Sequence, residues 1–158
     1  MNQIKWCLKV KNGIELIEPN KNLSDVYLKK AENALKATIK LKGNNEWEIS
    51  SCYYSMYFAL YSIMMKIGIK CENHKCTIEF MQEFLNSKFD SDEIRLLRTS
   101  MKARVDTQYY DDRRVPDKFH KLMITKAPLF IVKCKEIMRV LKQNEIQDIR
   151  ERLRRIKK

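Results

Sequence analysis

The apolar pattern of the chain is centred on residues 49–65, a run of 17 residues without a charge between Glu48 and Lys66. At helical spacing its large side chains form two lines that together cover most of the circumference of a helix. Such a helix must be covered on more than one side, either by other parts of its own chain or by a second subunit. A membrane span needs about 20 predominantly apolar residues, and serines and tyrosines interrupt this shorter run. We therefore expect a buried central helix and no membrane partner.

Amphipathic segments on both sides of this run predict further helices. In the last of them, Pro128 should kink or split the helix, because proline removes a backbone donor. The predicted limits are an N-cap at Ser24 and a stop at Gly43 for the first helix, a stop at Gly68 for the central helix, residues 73–88 for the third, an N-cap at Ser91 for the fourth, and a start after Pro116 for the fifth.

The two ends of the chain carry weaker patterns. Residues 1–22 form an N-terminal arm with a turn signal at Asn12 and Gly13, so that a short helix or a small hairpin would fit. Residues 144–158 are basic except for an apolar line. This predicted C-terminal helix could pack on the body or on a second subunit, bind nucleic acid or another anionic surface, or remain frayed. Its apolar residues are Ile146, Ile149, Leu153 and Ile156.

Composition supports a fold made of helices. The 158 residues include three glycines and three prolines, whereas β folds of this length use more of both in their turns. No internal repeat or low-complexity linker divides the chain. The sequence therefore predicts an all-α domain, an antiparallel up-and-down bundle of four to five helices over residues 23–143, flanked by the arm and the basic C-terminal helix.

The net charge of the chain is +12 at neutral pH. A surplus of lysine and arginine attracts phosphates and carboxylates, so the charge favours an acidic partner. Nucleic acid, a nucleotide or an acidic protein surface would each satisfy it. Because a lysine-rich composition can also make a chain basic without any ligand, the charge indicates a class of partner and no particular molecule.

The sequence contains five cysteines, an odd number, and its first residues lack the continuous apolar stretch of a signal peptide. This combination predicts a reducing, cytoplasmic location in which the thiols stay free. Cys71, His74 and Cys76, with His120 as a fourth ligand, form a conceivable metal site. The paired spacings of structural zinc sites are missing from it, so we expect neither a metal nor another cofactor.

Several motifs, taken in order along the chain, resemble the HEPN family of small helical proteins over about residues 24–142. The closest likeness is to its stand-alone prokaryotic members, and the arm resembles extensions of archaeal members. The motifs are Ala31-x2-Ala34, Tyr53-Tyr54 within Cys-Tyr-Tyr-Ser-Met-Tyr-Phe-Ala, Gly68-Ile69 followed by His74, Arg104-x4-Tyr109 and, in the arm, Trp6-Cys7-Leu8-Lys9 and Glu18-Pro19-Asn20.

This resemblance implies a homodimeric helical bundle, often encoded beside a minimal nucleotidyltransferase in a pair like a toxin and its antitoxin. Many HEPN proteins are metal-independent ribonucleases that use an Arg-x4–6-His motif. An imidazole with an ordinary pKa of about 6.5 can accept the proton of a ribose hydroxyl at neutral pH. A guanidinium can hold the charge that develops on the phosphorus oxygens. By resemblance, Arg104 would be this arginine.

The chain departs from the pattern at the position of the histidine, where it has Tyr109. A phenol with an ordinary pKa of about 10 is a poor base at neutral pH, and Gln108 stands where related proteins have aspartate. A second register, Arg114-x5-His120, satisfies the motif formally but crosses Pro116. The alternative is that His120 is a surface residue early in the fifth helix.

Three classes of function follow. In the first, a basic surface binds a nucleotide, RNA or a nucleotidyltransferase partner. In the second, the protein is a ribonuclease toxin in which Arg104 and Tyr109, or Arg114 and His120, are catalytic. In the third, it has a structural role only. The binding residues expected for the first class are Arg98, Lys102, Arg104, Tyr110, Arg113 and Arg114.

Two further roles are expected for aromatic residues. In related pairs the nucleotidyltransferase transfers AMP to a tyrosine near the motif, and Tyr109 or Tyr110 would be the acceptor here. The alternative is that both tyrosines close a helix end against the core. His74 is expected to face the tyrosine-rich helix and to bond to a phenol hydroxyl, because buried phenols need partners.

Overall fold

The computed structural model describes residues 2–157, and α-helices dominate this part of the chain. It confirms the predicted all-α bundle, with α2 to α6 as five helices of the body. None of the described helices has the length and apolar character needed to cross a bilayer. The elements are α1 (Asn2–Cys7), β1 (Glu15–Leu16), α2 (Lys21–Lys40), α3 (Asn45–Ile67), β2 (Ile69–Lys70), α4 (His74–Phe84), α5 (Ser91–Tyr109), α6 (Asp117–Val140) and α7 (Gln143–Lys157).

The predicted central helix is α3. It ends at Gly68, whose φ of 84° is readily available only to glycine. Helices α2, α5, α6 and α7 contact α3, and most of its residues from Glu48 to Ile67 are buried within the single chain. The second apolar face of α3 is therefore covered by its own chain, which removes this face as a reason to expect a second subunit.

The C-terminal helix α7 packs against α1 and α3, so the expectation that it packs on the body is confirmed. Its Arg150 is buried and donates from Nη1 to the carbonyl oxygens of Ile17 at 2.7 Å and of Ile67 and Gly68 at 3.0 Å each. These carbonyls include two that the end of α3 leaves without an intrahelical partner. The buried apolar residues of α7 are Ile146, Ile149 and Leu153.

Two predicted helix caps were wrong. Asn20 caps α2, and Ser24 is instead a buried residue whose hydroxyl donates to a carbonyl of α3 at 2.7 Å. Asp90 caps α5 in a capping box with Glu93, so Ser91 is the first helical residue. In both cases an asparagine or aspartate upstream of the serine has the backbone conformation of a cap and accepts the orphan N–H groups.

One helix length differs from the prediction, and Pro128 does not split α6. α4 ends at Phe84, four residues early, because the N–H groups of Lys88 and Phe89 both bond to the carbonyl of Leu85 and turn the chain. α6 continues through Pro128 as one helix. Proline costs α6 a single backbone donor, and the packing of α6 on α3 holds the two halves together.

The N-terminal arm contains a short helix, and its strand pairs outside the arm, with β2. A disulfide joins Cys7 of α1 to Cys76 of α4, so the prediction of free thiols was wrong for these two residues. The pair joins positions 69 apart, and only the packing of α1 on α4 brings them together. Cys52, Cys71 and Cys134 are free and buried.

Candidate functional site

Aromatic, histidine and arginine side chains meet between α3, α4 and α5. They are Tyr53, Tyr54 and Tyr57 of α3, His74 of α4 and Arg104 of α5, and we call them the aromatic–arginine cluster. The tyrosines occupy one side of α3 because residues four apart on a helix are neighbours. Tyr53 and Tyr57 are buried, whereas Tyr54, His74 and Arg104 are half-buried. The cluster therefore has a buried base, formed by Tyr53 and Tyr57, and an edge that is exposed to solvent.

Two tyrosines hold His74. Its Nδ1 lies 2.6 Å from the Tyr53 hydroxyl, and its ring stacks on Tyr57 with centroids 4.1 Å apart. Burial, and secondarily the positive charge of Arg104, lowers the pKa of His74 to about 4. Burial also raises the pKa of Tyr53 well above its ordinary value, so this hydroxyl keeps its proton and shares one hydrogen bond with Nδ1 of the neutral ring. The expected bond between His74 and a phenol is confirmed, and His74 is neutral at pH 7.

Arg104 points from α5 towards α3. Its Cζ lies 5.6 Å and 5.5 Å from the ring centroids of Tyr53 and Tyr54. Its Nη1 donates to the Tyr54 hydroxyl at 3.3 Å and to Gln108 Oε1 at 3.2 Å, while its Nε is buried without a hydrogen-bond partner. No carboxylate within residues 2–157 pairs with it. The guanidinium is thus held by neutral groups and keeps its capacity to attract an anion.

The structure does not bring Tyr109 to Arg104. Residues five apart on a helix do not share a face, and Gln108, not Tyr109, follows Arg104 on the side towards α3. Tyr109 is 69% exposed and has no hydrogen bond, ion pair or ring contact with any described residue. The two proposed catalytic groups of the first register are therefore separated in space.

Tyr110 lies just beyond α5 and is also exposed. The guanidinium of Arg113 lies over its ring, 3.6 Å from the centroid, and pairs with Asp106 at 3.0 Å. The expectation that Tyr109 and Tyr110 close the helix end against the core was wrong, because both rings project into solvent. Only Tyr110 has a neighbour that restrains it.

The other expected binding residues are dispersed. Arg98 pairs with Glu79 of α4 at 2.7 Å, which offsets its charge. Lys102 lies on the face of α5 opposite Arg104, since two positions on a helix differ by about 200°. Lys102 and Arg114 are exposed and pair with no acidic side chain in the described part of the chain. The six residues expected at the binding surface therefore do not form one continuous basic face.

The second register is not assembled either. His120 is half-buried, and its Nε2 lies 3.3 Å from Glu48 Oε2, within ion-pair distance but outside hydrogen-bond geometry. The expectation of a surface histidine was wrong, because the first turn of α6 packs on the start of α3 and carries His120 with it. Arg114 precedes α6 and points into solvent. The two side chains face different surroundings.

The residues of the conceivable metal site are engaged elsewhere. Cys76 forms the disulfide, the thiol of Cys71 donates to the carbonyl of Asn73 at 3.3 Å, and His74 belongs to the aromatic–arginine cluster. His120 lies beside Glu48. In the part of the chain that the structure describes, no three His, Cys, Asp or Glu side chains are grouped as metal ligands would be.

The two catalytic pairs expected from the sequence, Arg104 with Tyr109 and Arg114 with His120, did not include the tyrosines of α3 as partners of Arg104. The signal was the Tyr53-Tyr54-x2-Tyr57 spacing, which places three phenols on one side of an otherwise apolar helix. No family model matches the chain, and no curated protein matches it. The geometry of the cluster is thus the evidence on which function can be argued.

Proposed function

We propose that the protein binds a phosphate-bearing ligand, a nucleotide or RNA, at the aromatic–arginine cluster. The observation that carries the proposal is Arg104, a half-buried cation whose hydrogen-bond partners are neutral. Gln108 lies beside it where an aspartate would neutralise its charge. Phosphate oxygens accept charge-assisted hydrogen bonds from a guanidinium, and a half-buried charge is less screened by salt than an exposed lysine.

The aromatic side chains add a second element of recognition. Tyr54 is half-buried and its ring stacks with Phe58, which is also half-buried, at 5.4 Å between centroids. A base or ribose can stack on such an edge while its phosphate reaches Arg104, which is how proteins hold single-stranded nucleic acid without reading its sequence. The net charge of +12 supplies a long-range attraction for the same ligand.

The resemblance to HEPN proteins extends the proposal to a partner. We infer a protein that acts with a minimal nucleotidyltransferase in a pair like a toxin and its antitoxin, and that functions as a homodimer. A cytoplasmic location is part of the same inference and rests on the resemblance alone, because Cys7 and Cys76 are joined in a disulfide. In this arrangement the phosphate site on α3, α4 and α5 would be the part of the molecule that the pair regulates.

A metal-independent ribonuclease is the second candidate, because Arg104 and His74 both contact Tyr54. The protonation state of His74 favours binding over cleavage. With a pKa of about 4, the imidazole carries a proton in about 0.1% of molecules at pH 7 and is a weak base. Its Nδ1 is also occupied by Tyr53. A purely structural role is the third candidate, in which Arg104 only bridges α5 to α3.

The test compares Arg104→Ala with Lys102→Ala, which removes the same charge from the opposite face of the same helix. Binding of a fluorescently labelled single-stranded RNA is measured by anisotropy, and binding of ATP by calorimetry. We expect Arg104→Ala to weaken the bound ligand's affinity at least about tenfold and Lys102→Ala at most about twofold. Arg104→Lys should be intermediate, since it keeps the charge and loses the planar fork.

The same preparations separate the three candidates. Equal losses in the two alanine variants would show that affinity comes from net charge alone and would overturn the site. Cleavage of the RNA in the presence of a chelator, abolished by Arg104→Ala, would establish the ribonuclease instead. Failure of the folded wild type to bind either ligand would leave the structural role. Circular dichroism of each variant confirms that the helices remain intact.

The exposed phenol of Tyr109 supports a role as the acceptor of AMP from the partner nucleotidyltransferase. The phenol oxygen would attack the α-phosphorus of ATP, forming a phosphodiester to tyrosine and releasing pyrophosphate, while the phenol proton passes to solvent or to a base of the partner. Tyr109 has no contact that must be broken first, whereas Tyr110 is covered by Arg113 at 3.6 Å. We therefore assign the modification to Tyr109.

Incubation with the neighbouring nucleotidyltransferase and ATP should add the mass of one AMP to the wild type and to Tyr110→Phe. The adduct should be absent from Tyr109→Phe. Intact-mass spectra distinguish these cases, and peptide mapping locates the adduct. An adduct that persists in Tyr109→Phe would contradict the assignment, and an unmodified wild type would remove tyrosine modification altogether.

A further inference from the structure

One face of α6 presents a row of exposed side chains that no described residue covers. Leu122, Leu129 and Val132 on this face are 42%, 59% and 62% exposed. The row advances by alternating steps of four and three residues, the spacing that keeps a seam on one side of a helix in contact with another helix. We call it the α6 seam, and it consists of Lys118, Leu122, Thr125, Leu129, Val132 and Glu136.

The α6 seam is complementary to itself. Consider a second α6 that lies antiparallel to the first, with the two-fold axis crossing the helix at the height of residue 127. Each seam residue then meets a seam residue of the other copy that is equally far from the axis. The pairs are Lys118 with Glu136, Leu122 with Val132 and Thr125 with Leu129. Apolar contacts therefore fall in the middle of the seam and opposite charges at both of its ends, as an isologous interface requires.

We propose that the α6 seam is the surface on which a second copy of this chain docks, an assignment that rests on the homodimer inferred above. Lys118 is exposed and has no acidic partner within one described chain. Glu136 pairs with Arg139 of its own helix at 2.6 Å, and the side chains of both residues of that pair are more than half exposed. In the dimer, Glu136 would be shared between Arg139 of its own helix, which binds both of its oxygens, and Lys118 of the other copy.

The surface beside the seam widens the contact. A cavity of about 510 Å³ opens between α5 and α6, lined on its apolar side by Leu96, Phe119 and Phe130 and, at its lip, by Leu122 and Leu129. The 18 steps along the helix from Lys118 to Glu136 span about 27 Å at 1.5 Å per residue. A seam of this length is short for a stable interface, so we expect a weak dimer whose dissociation constant has to be measured over a wide concentration range.

The first test measures the dimer dissociation constant by sedimentation velocity across concentrations up to about 100 μM. Leu129→Asp should abolish the dimer, because it places two buried carboxylates near the axis without partners. The matched control is Ile39→Asp, which changes an isoleucine on α2 that is even more exposed than Leu129, 71% against 59%, and should leave the constant unchanged. Both variants are checked for helical content by circular dichroism.

A charge swap tests the register itself. Lys118→Glu creates two like-charge contacts and should weaken the dimer about tenfold, whereas Lys118→Glu combined with Glu136→Lys should restore it. Lys42→Glu, at the turn between α2 and α3, makes the same charge change away from the seam and should have little effect. A monomeric wild type, a dimer indifferent to Leu129→Asp, or a double variant no tighter than Lys118→Glu would each overturn the proposal. These results are independent of phosphate binding, since the aromatic–arginine cluster lies on α3, α4 and α5.

Discussion

Two regions of α5 that are five residues apart differ in almost every physical respect. Arg104 lies against α3 in a half-buried cluster of neutral groups, whereas Tyr109 projects into solvent without a contact among the described residues. The sequence motif predicts that the two residues act together. In the helix they point in different directions, because residues five positions apart do not lie on the same face.

The electrostatics of the two regions differ in the same way. Beside Arg104 there is no acidic partner in the described chain, and the combination of burial and positive charge lowers the pKa of His74 to about 4. Beyond Tyr109, the charge of Arg113 is matched by Asp106, and its side chain is 48% exposed. An unmatched, half-buried charge can contribute to ligand affinity, and a matched, exposed one contributes little.

The largest expected difference between the two regions is in the pH dependence of stability, which His74 beside Arg104 should cause. Above its ordinary pKa of 6.5, His74 is neutral in both states. Between about 6.5 and about 4 the unfolded chain binds a proton that the folded chain excludes, so the free energy of unfolding falls. Because solvent screens the half-buried ring, the fall should be smaller than the about 3 kcal/mol that the full shift would give. Below about 4 this residue causes no further loss. Urea unfolding at a series of pH values measures the effect.

The control for this pH dependence is His74→Gln, which keeps a hydrogen-bonding group for Tyr53 and cannot titrate. Subtracting its stability from that of the wild type cancels the contributions of the carboxylates and of His120, which are common to both. The groups facing His74 are Tyr53, Tyr54 and Tyr57, and Arg104, so no carboxylate in direct contact complicates the result. A difference that does not change between pH 7 and pH 4 would contradict the structure of the cluster.

A smaller effect is expected from removing single hydroxyl groups in the two regions. Tyr53→Phe leaves Nδ1 of His74 without its partner in a buried site and should cost about 1–2 kcal/mol of unfolding free energy. Tyr109→Phe makes the same chemical change on an exposed ring and should cost less than about 0.5 kcal/mol. Denaturant unfolding at pH 7 compares them directly. Equal costs would mean that the environments of the two phenols do not differ as described.

The fold was largely predictable because its strongest signals are local. The uncharged run that became α3 and the glycine at its end, Gly68, are visible in the sequence, and so is the apolar line of α7. The errors in the helix N-caps arose where two neighbouring residues could each cap the helix. Ser24 and Ser91 are good cap residues, but Asn20 and Asp90 precede them and take the role. The disulfide between two distant elements left no local signal at all.

The candidate site was less predictable because it is assembled from three helices. Arg104 could be singled out by its motif, but its partners Tyr53 and Tyr54 lie about 50 positions earlier on α3. His74 could be expected to meet a phenol, yet its low pKa results from burial between helices and, secondarily, from a cation on a third helix. Interactions of this kind follow from packing, and no spacing within one segment encodes them.

The contact of Arg150 with the end of α3 also sets an order of events during synthesis. Arg150 donates to the carbonyl of Ile67 across 83 positions of the chain. A ribosome that adds about 5–20 residues per second needs about 4–17 s to produce that interval. Throughout this time the carbonyl of Ile67 lacks its protein donor, whereas the carbonyls of Met65 and Gly68 can already accept from Asn20 and Ile17 of the N-terminal region. The last helix to be synthesised therefore supplies the final hydrogen bond at the end of the central helix.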